Sequence, residues 1–480
     1  MAKDFIVAIE LGSSKMTGIA GRKNPDGSIS ILAVAKEDSA SYIRKGVAYN
    51  IERTAQGLSN IVSKLKNTLK TEIEQVYVGI GGQSIHSVKN SIVKELPLDC
   101  IVSQDMVNEL MDTNRSMEYK DCEILDAITQ EYNVDGHYED DPVGIQARHL
   151  EGNFLNVLWR RSFYRNLNKS LDNAGIKVAE MYLAPLTMAD CVLTEAEKRA
   201  GCLLVDLGAD TTTVSVYYRN KLRHIAVLPL GGSNVTKDLE SLQIDEINAE
   251  AMKLKHASAL TNEKDIDADA TLPIGDGRTI LSRKFIQVVE ARMLEIVENV
   301  KYLVPHEFAD KLLGGIVLTG GGSNMKNVEK LFHEVFGAEK VRIAKSTTLN
   351  INKKDSDVIL SEDGTTNTIL GLLAKGDMNC AGRAISDTLF DDEENGEHTT
   401  ITLDPTATTG TPVAGQTAAT GPATAAAATQ TATTATTAVV DEKEEEDEKE
   451  PEAQKDTKIS RWFGSLKKFG RSLVEPDVNE

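Results

Sequence analysis

One short pattern occurs twice in the chain, at residues 7–21 and 203–217, and it constrains the fold more than any other feature. The two copies read VAIELGSSKMTGIAG and LLVDLGADTTTVSVY. Each is an apolar strand, an acid, an apolar residue, a glycine, a short polar turn and a second strand with alternating apolar positions. The duplication predicts two similar lobes, each opening with a β-hairpin.

A third glycine-rich turn lies in the segment GGIVLTGGGSNMKNVEKLF, residues 314–332. It reads as a strand, then GGGS, then an amphipathic helix. Helical periodicity also fills residues 55–70, 245–260 and 283–303. Because strands alternate with helices along the chain, the pattern predicts a fold of the α/β class.

The two repeated turns carry the residue types that bind phosphate. Small residues in a tight turn expose successive backbone N–H groups, which together form an anion-binding concavity. Gly12 and Gly208 would let a phosphate approach the backbone, and hydroxyl donors would come from Ser13, Ser14, Thr211 and Thr212. Two such turns facing each other across a cleft would clamp the phosphate tail of a nucleotide. The alternative is that each turn is a plain hairpin and GGGS an ordinary connection.

An acid precedes each repeated turn, Glu10 in the first copy and Asp206 in the second. Both carboxylates would point at the phosphates, which is unfavourable unless a divalent cation lies between the charges. We therefore expect Mg²⁺ at this place, bound mostly through water.

Composition restricts the partners and the compartment. The 53 Lys and Arg residues against 73 Asp and Glu give a net charge of −20, which argues against a nucleic-acid partner. The five cysteines contain no C-x-x-C pair, so we expect neither disulfides nor a zinc site. We therefore expect the protein to work in a reducing cytoplasm. Neither a secretory signal nor a run of 18 apolar residues is evident, so we expect no membrane span.

The composition changes abruptly at about residue 391. Residues 391–457 are rich in Thr and Ala and then acidic, which is typical of a disordered linker. Residues 458–474 read as a basic amphipathic helix of the kind that lies in a membrane interface. Docking of this helix on a partner or on its own core is the alternative. The predicted membrane-binding residues are Ile459, Trp462, Phe463, Leu466, Lys467, Lys468, Phe469, Arg471 and Leu473.

The three turns in this order resemble the actin/hexokinase/DnaK superfamily and, within it, the FtsA family of bacterial cell division proteins. VAIELGSSK and VDLGADTTTVSV are similar to the two phosphate motifs, and IVLTGGGSNMKNV to the adenosine motif. Residues 182–201 and 367–376 resemble the two helices that hinge the lobes. The resemblance covers about residues 4–380 and implies a two-lobed actin-like ATPase fold with a duplicated core.

The same resemblance implies an order of domains. The first lobe would be residues 1–82 with 176–200, interrupted by an FtsA-type inserted subdomain at 83–175. The core of the second lobe would be 201–231 and 309–385, around a small subdomain at 232–308. A linker at 391–457 and a membrane-targeting helix at 458–474 would follow.

Site residues follow from the matching motifs. The resemblance places the nucleotide phosphates on Gly12, Ser13, Ser14, Lys15, Gly208, Ala209, Asp210, Thr211 and Thr212. It places the adenosine on Glu250, Lys253, Gly320, Gly321, Gly322 and Asn324. Glu250 and Lys253 share one helix face, so a surface ion pair is the alternative for them.

The implied function is to bind ATP with Mg²⁺ and to tether FtsZ filaments to the cytoplasmic face of the inner membrane, where the division septum assembles. The implied partners are the C-terminal tail of the tubulin homologue FtsZ, further copies of the chain in a filament, anionic lipids and other division proteins. The FtsZ tail would dock on residues 232–308. Arg292 matches a basic position used there, although a surface arginine is the alternative.

One departure limits the expected chemistry. Chaperone and MreB-type relatives place a glutamate before the proline of the first connecting helix, where it orients the attacking water, but this chain has Ala184. Loss of a water-positioning group slows phosphoryl transfer strongly. We therefore expect ATP binding with at most weak ATPase activity. The alternatives are a sugar kinase or a PilM-like pilus-assembly adaptor on the same fold.

Overall fold

The computed structural model describes residues 4–262, 270–275, 277–352 and 360–384. The predicted linker and the predicted terminal helix, with all its membrane-binding residues, lie outside this described part.

The described elements follow one another from the first hairpin to a short strand at residue 384. The strands are β1 (Ile6–Leu11), β2 (Lys15–Lys23), β3 (Ile29–Asp38), β4 (Ile43–Arg44), β5 (Val47–Ala48), β6 (Thr71–Ile73), β7 (Val76–Ile80), β8 (His86–Glu95), β9 (Cys122–Val134), β10 (His137–Glu139), β11 (His149–Arg160), β12 (Val178–Leu183), β13 (Cys202–Leu207), β14 (Thr212–Tyr218), β15 (Lys221–Leu228), β16 (Thr271–Gly275), β17 (Arg278–Leu281), β18 (Gly315–Thr319), β19 (Val341–Ile343), β20 (Ile351–Asn352) and β21 (Ala381–Ala384). The helices are α1 (Ile51–Leu69), α2 (Gln104–Arg115), α3 (Arg161–Asn173), α4 (Ala184–Val192), α5 (Glu195–Ala200), α6 (Gly232–Glu240), α7 (Glu246–His256), α8 (Ser282–Leu303), α9 (Val328–Phe336) and α10 (Asn367–Lys375).

The first lobe is built on a six-stranded sheet in the order β12-β7-β1-β2-β3-β20. The first repeated pattern forms the antiparallel pair β1–β2, and β7 lies parallel to β1 on its other side. Helix α1 begins at the cap Asn50, whose side chain accepts the N–H of Arg53. Its apolar stripe, which the periodicity predicted, buries Leu58, Ile61 and Leu65 against the sheet.

The second lobe begins with the same arrangement of strands. The second pattern forms the antiparallel pair β13–β14, and β18 lies parallel to β13 as β7 does to β1. A separate apolar core, with Phe285, Val289 and Phe332 among its fully buried members, joins this sheet to α6, α8 and α9. The predicted duplication into two lobes, each with a leading hairpin, is therefore present in the structure.

The inserted segment shares a sheet with the second lobe. Strands β8 to β11 with α2 have their own small core, yet β8 also pairs with β15 at His86 and Ala226, which makes one sheet of nine strands with the second lobe. Ion pairs of Lys221 with Asp140 (2.6 Å) and Arg223 with Glu131 (2.8 Å) reinforce this junction.

Helix α3 lies at the end of the segment predicted as an insertion, 83–175. Its buried residues Leu167 and Leu171 belong to the core of the first lobe, where α3 packs against α1. The end of that segment therefore packs on the core of the first lobe.

The two predicted connecting helices contact each other directly. Helices α4 and α10 approach so closely that a Cβ added at Gly371 would lie 2.5 Å from the carbonyl oxygen of Thr187. The Asp190 carboxylate of α4 binds Lys198 of α5 at 3.0 Å and Lys375 of α10 at 2.7 Å. The backbone contact and the ion pairs of Asp190 together hold these helices against each other.

Gly371→Ala should therefore destabilise the protein, although alanine in a helix interior is normally about 1 kcal/mol better than glycine. The new methyl group would collide with the backbone of α4, and overpacking of this kind typically costs about 1–3 kcal/mol. Urea denaturation measures the free energy of unfolding. The matched control is Gly81→Ala, where an added Cβ meets nothing within 4 Å. A Gly371→Ala protein as stable as the wild type would contradict the close helix crossing.

Candidate functional site

The first repeated turn is a tight connection between β1 and β2. A Cβ added at Gly12 would lie 2.5 Å from the carbonyl oxygen of Lys15, so the turn excludes any larger residue. Ser39 holds the turn from the neighbouring strand: its hydroxyl donates to the Gly12 carbonyl at 2.6 Å and its N–H to that of Ser14 at 3.2 Å. The backbone of this turn is therefore fixed before any ligand arrives.

The second turn is anchored to the helix that follows β15. The Gly208 N–H donates across the turn to the Thr211 carbonyl at 2.9 Å. The carbonyls of Gly208 and Ala209 accept the N–H groups of Gly232 and Ser233 at 3.0 and 2.7 Å, at the start of α6. One predicted donor is not available here, because Thr212 is fully buried and its hydroxyl donates to the Leu230 carbonyl at 2.9 Å.

A hairpin that the sequence analysis did not single out brings the two turns together. The tip of β4–β5 is Lys45–Gly46, and both residues have positive φ, 50° and 73°. The Gly46 N–H donates to Ser13 Oγ of the first turn at 2.8 Å, and the Lys45 N–H donates to Asp210 Oδ2 of the second turn at 3.1 Å. Since these N–H groups are neighbours in the chain, the two side chains lie within about 10 Å of each other. The turns face each other, as the clamp hypothesis requires.

The two acids before the turns are held where water solvates them poorly. The pKa of Glu10 is raised to about 8, mainly by burial and then by the nearby charge of Asp206, while a hydrogen bond from Thr368 acts in the opposite direction. Burial also raises the pKa of Asp206, to about 6. Facing carboxylates with raised pKa values favour a bound cation.

The donor set at these acids fits a hydrated Mg²⁺. In the part of the chain that the structure describes, no three His, Cys, Asp or Glu side chains come together as a metal site. Two carboxylates are enough for Mg²⁺, which keeps several waters and takes further oxygens from a bound phosphate. Glu10 and Asp206 are the residues that would hold it.

The third glycine turn packs onto the second lobe's leading hairpin. Gly320 has φ of 81°, and a Cβ there would overlap the Asp206 carboxylate. A Cβ at Gly322 would approach the Leu207 carbonyl at 3.0 Å, whereas one at Gly321 would meet nothing closer than Thr365 at 3.6 Å. Asn324 donates to the Asp363 carbonyl at 2.7 Å and so fixes a neighbouring loop. Of the predicted adenosine glycines, only Gly321 faces open space.

Glu250 and Lys253 form the ion pair that was the alternative for them. Lys253 Nζ lies 2.6 Å from Glu250 Oε2 and also donates to the Gly232 carbonyl at 3.1 Å. The Thr236 hydroxyl donates to the same Glu250 oxygen at 2.6 Å. The pair thus attaches α7 to the first turn of α6, beside the second glycine turn. Contact of the two residues with adenosine stays a prediction.

Arg292 is also engaged within the chain. Its guanidinium binds both carboxylate oxygens of Asp238, at 2.5 and 2.9 Å, and contacts Glu295. This joins α8 to α6. On the same small subdomain, Ile247 and Leu254 of α7 are 82% and 77% exposed, a surface that the sequence analysis missed. Both lie on one helix face because they are seven residues apart.

Ala184 is the first residue of α4 and is buried. Its carbonyl accepts the Thr187 hydroxyl at 2.9 Å. Its methyl side chain cannot polarise a water molecule.

No helix in the described ranges has the length and apolar content needed to cross a bilayer.

Two family models match the chain. The one described as "Cell division protein FtsA" matches residues 203–361, and "SHS2 domain inserted in FTSA" matches residues 82–158. The second match covers β8 to β10 and most of β11 and ends before α3, in agreement with the packing of that helix on the first lobe.

Curated relatives extend the similarity to most of the chain. The cell division protein FtsA of Porphyromonas gingivalis is 31% identical over 78% of this chain and 78% of its own length. That of Neisseria meningitidis serogroup B is 29% identical over 69% of this chain and 82% of its own.

A solved structure shows a similar fold. The PilM–PilN type IV pilus biogenesis complex aligns with a TM-score of 0.52 at 14% identity, over 77% of this chain and 97% of that one. Such low identity speaks for the fold alone. The predicted fold class, a two-lobed actin-like α/β fold with an inserted subdomain, is confirmed.

Glu10→Gln should change how stability depends on pH. A carboxyl group whose pKa rises on folding contributes stability below its unfolded pKa, and loses it as the pH rises through the folded value. For Glu10 this window runs from 4.5 to about 8. The free energy of unfolding of the metal-free wild type should fall across it, and that of Glu10→Gln should fall less.

Urea denaturation at both ends of the window, with a chelator present, measures this difference. Replacement of the exposed Glu118 by glutamine is the control and should leave the pH dependence unchanged. Equal slopes for the wild type and Glu10→Gln would show that the carboxyl group is well solvated.

Proposed function

The chain belongs to the FtsA family of cell division proteins, and we propose that it binds ATP between its two repeated turns and links a division filament to the membrane. The family identity comes from the relative that is 31% identical over 78% of both chains. The single observation that carries the nucleotide site is the Lys45–Gly46 tip, which contacts one residue of each turn.

The phosphates would bind to the backbone N–H groups of the two turns, which Gly12 and Gly208 keep accessible. Hydroxyl donors would come from Ser13, Ser14 and Thr211, with Lys15 adding positive charge at the start of β2. Glu10 and Asp206 would hold hydrated Mg²⁺, which neutralises phosphate charge when bound. Because Ala184 cannot orient water, hydrolysis would be slow, and the site would act mainly as a binding site.

The adenosine would lie against the third turn and α7. Gly321 presents an unobstructed backbone, and the Glu250–Lys253 pair contacts the start of α6, which is hydrogen-bonded to the second turn. Gly320 and Gly322 would contribute by letting the turn pack closely against β13. This gives the two ends of the nucleotide different kinds of surface, charged at the phosphates and largely backbone at the adenosine.

Gly321→Val should weaken ATP binding at least about tenfold, or about 1.4 kcal/mol, because its side chain would enter the proposed adenosine site. Gly321→Ala should weaken it less. Both variants should keep the wild-type melting temperature without nucleotide, since the position is open. Gly320→Val and Gly208→Val are poorer tests, because each would collide with the protein itself. Calorimetric titration with ATP and Mg²⁺ measures the affinity of each variant. A folded Gly321→Val protein with unchanged ATP affinity would exclude this adenosine site.

The two alternative functions have less support. A sugar kinase needs a catalytic acid facing an acceptor pocket, and the acids of this cleft lie at the proposed phosphate end. The likeness to the PilM–PilN complex is at 14% identity, whereas the division proteins reach 31%. The family relationship therefore favours the division function over the pilus adaptor.

The small subdomain, residues 232–308, is the proposed docking place for the FtsZ C-terminal tail. It combines the exposed apolar residues Ile247 and Leu254 with the cation Arg292. A carboxylate of the peptide would compete with Asp238 and Glu295 for that guanidinium. Self-association into filaments and contacts with other division proteins complete the proposed role at the cytoplasmic face of the inner membrane.

The terminal segment 458–474 would supply the membrane anchor. Trp462→Glu should release the protein from anionic liposomes, because it removes an aromatic anchor and places an acid against an anionic surface. Lys467→Ala with Lys468→Ala should weaken binding less and mainly at low salt, since their attraction is screened. ATP affinity should stay unchanged in both variants. Liposome flotation at two salt concentrations measures binding, and undiminished flotation of Trp462→Glu would favour docking on a protein instead.

A further inference from the structure

We propose that the segment directly after β21, residues 385–394, docks in a pocket on the first lobe and places the ring of Phe390 inside it. Docking shortens the linker that follows, because the linker then leaves the first lobe only after residue 394. The pocket lies at the start of β7, whereas the acids and turns of the proposed nucleotide site follow the other end of the parallel strand β1. The inference therefore does not depend on nucleotide binding.

The pocket lies between α1, the start of β7 and the turn after α3, and its volume is about 150 Å³. Its apolar side chains include Val62, Ile73 and Ile176, which are half-buried and pack against the core of the first lobe. An apolar cavity of about 150 Å³ can hold a benzene ring. The pocket therefore has room for the ring of one phenylalanine.

The last described strand runs along the edge of this pocket. Strand β21 pairs antiparallel with β6, and Ala381 lies opposite Ile73, which also lines the pocket. The six residues from the end of β21 to Phe390 can span about 20 Å. The pocket residues of α1, from Ser59 to Lys66, cover only about 10 Å of that helix. Phe390 is therefore within reach of the pocket.

Phe390 is the side chain of the segment that gains most from docking. Residues 385–394 read ISDTLFDDEE, and Phe390 is the only Phe, Tyr or Trp between Phe336 and Trp462. An aromatic side chain removes about 150–250 Å² of surface from water when it is buried. Because this burial is favourable, an apolar pocket beside the preceding strand attracts the ring.

The charges at the rim of the pocket suit the residues that follow the ring. Four acids, residues 391–394, come directly after it. The pocket is lined by two bases, Lys66 and Lys177, and by one acid, Glu74. Lys66 is already paired with Glu72 at 2.5 Å, whereas Lys177 is exposed. Lys177 is therefore the base most available to the four acids, through an attraction that salt screens.

Docking gives the linker two lengths. In the docked state the linker begins at residue 395, and in the released state it begins at residue 385. The ten residues between them add up to about 34 Å of extended chain. If the terminal segment anchors the protein as proposed, release of Phe390 lengthens the tether without any change in the folded lobes.

Chymotrypsin cleavage after Phe390 in the full chain measures the docking, because a protease cannot bind a ring that is buried in a pocket. The reference is a synthetic peptide of residues 381–398, which contains the same bond but no pocket. We expect cleavage after Phe390 to be at least about tenfold slower in the full chain than in the peptide. Mass spectrometry of the fragments identifies the bond that is cut.

Three substitutions test whether this pocket causes the protection. Ser63→Trp fills the pocket from α1 and should raise the cleavage rate about tenfold, toward that of the peptide. Asn67→Trp is the matched control, because it adds the same side chain at an exposed position of α1 that does not line the pocket. Lys177→Glu reverses a charge at the rim and should also accelerate cleavage, mainly at low salt. The melting temperature shows whether each variant is folded, and Lys177→Glu remains a valid test if the indole of Ser63→Trp disturbs α1.

The outcomes are distinct. Cleavage of the wild type at the rate of the peptide would overturn the inference. Slow cleavage that neither Ser63→Trp nor Lys177→Glu accelerates would also overturn it, because another surface would then cover the segment. Equal acceleration by Asn67→Trp and Ser63→Trp would exclude this pocket. Acceleration by Ser63→Trp and Lys177→Glu alone supports the inference, and none of these results bears on ATP binding.

Discussion

Two partly buried carboxylates, Glu10 and Asp206, lie near enough to repel each other and set the conditions that the rest of the cleft has to meet. Taking a charged group out of water is unfavourable unless an opposite charge compensates it. Glu10 and Asp206 each lie near the end of a largely buried strand, β1 and β13, so the hairpins that form the two cores also carry the acids inward. Burial raises the pKa of both groups, and repulsion by Asp206 adds to the shift of Glu10. A cation and a polyanion together would relieve this repulsion.

The turns that surround these two acids are held in place mostly by backbone contacts. Gly12, Gly46, Gly82 and Gly320 each stand where a Cβ would collide with a main-chain atom or with Asp206. Side chains take part mostly as ties between backbone segments, as Ser39 and Ser13 do. Such a frame is rigid, and it leaves few groups free to respond to a ligand. Asp210 is one of these, because a single side-chain hydrogen bond connects it to the other lobe.

The sequence predicted the parts of this site that depend on local pattern. The repeated strand and turn identified both hairpins, both acids and the glycines, since each of these follows from residues close together in the chain. Pairings between distant residues were not predictable from one sequence. The contact of Lys45 with Asp210 spans 165 positions, and that of β8 with β15 depends on one register pair. The glycine of the Lys–Gly dipeptide in residues 43–48, IRKGVA, is the local signal for this turn.

The inserted segment leaves the first lobe beside Gly82, which is locked against Gly46, and its strand β8 then joins the second lobe's sheet beside β15. The inserted segment therefore contacts both lobes. Any change in the angle between the lobes has to be taken up at the narrow seam of His86 and Ala226, or passed outward through β11 and β9 to the edge strand β10.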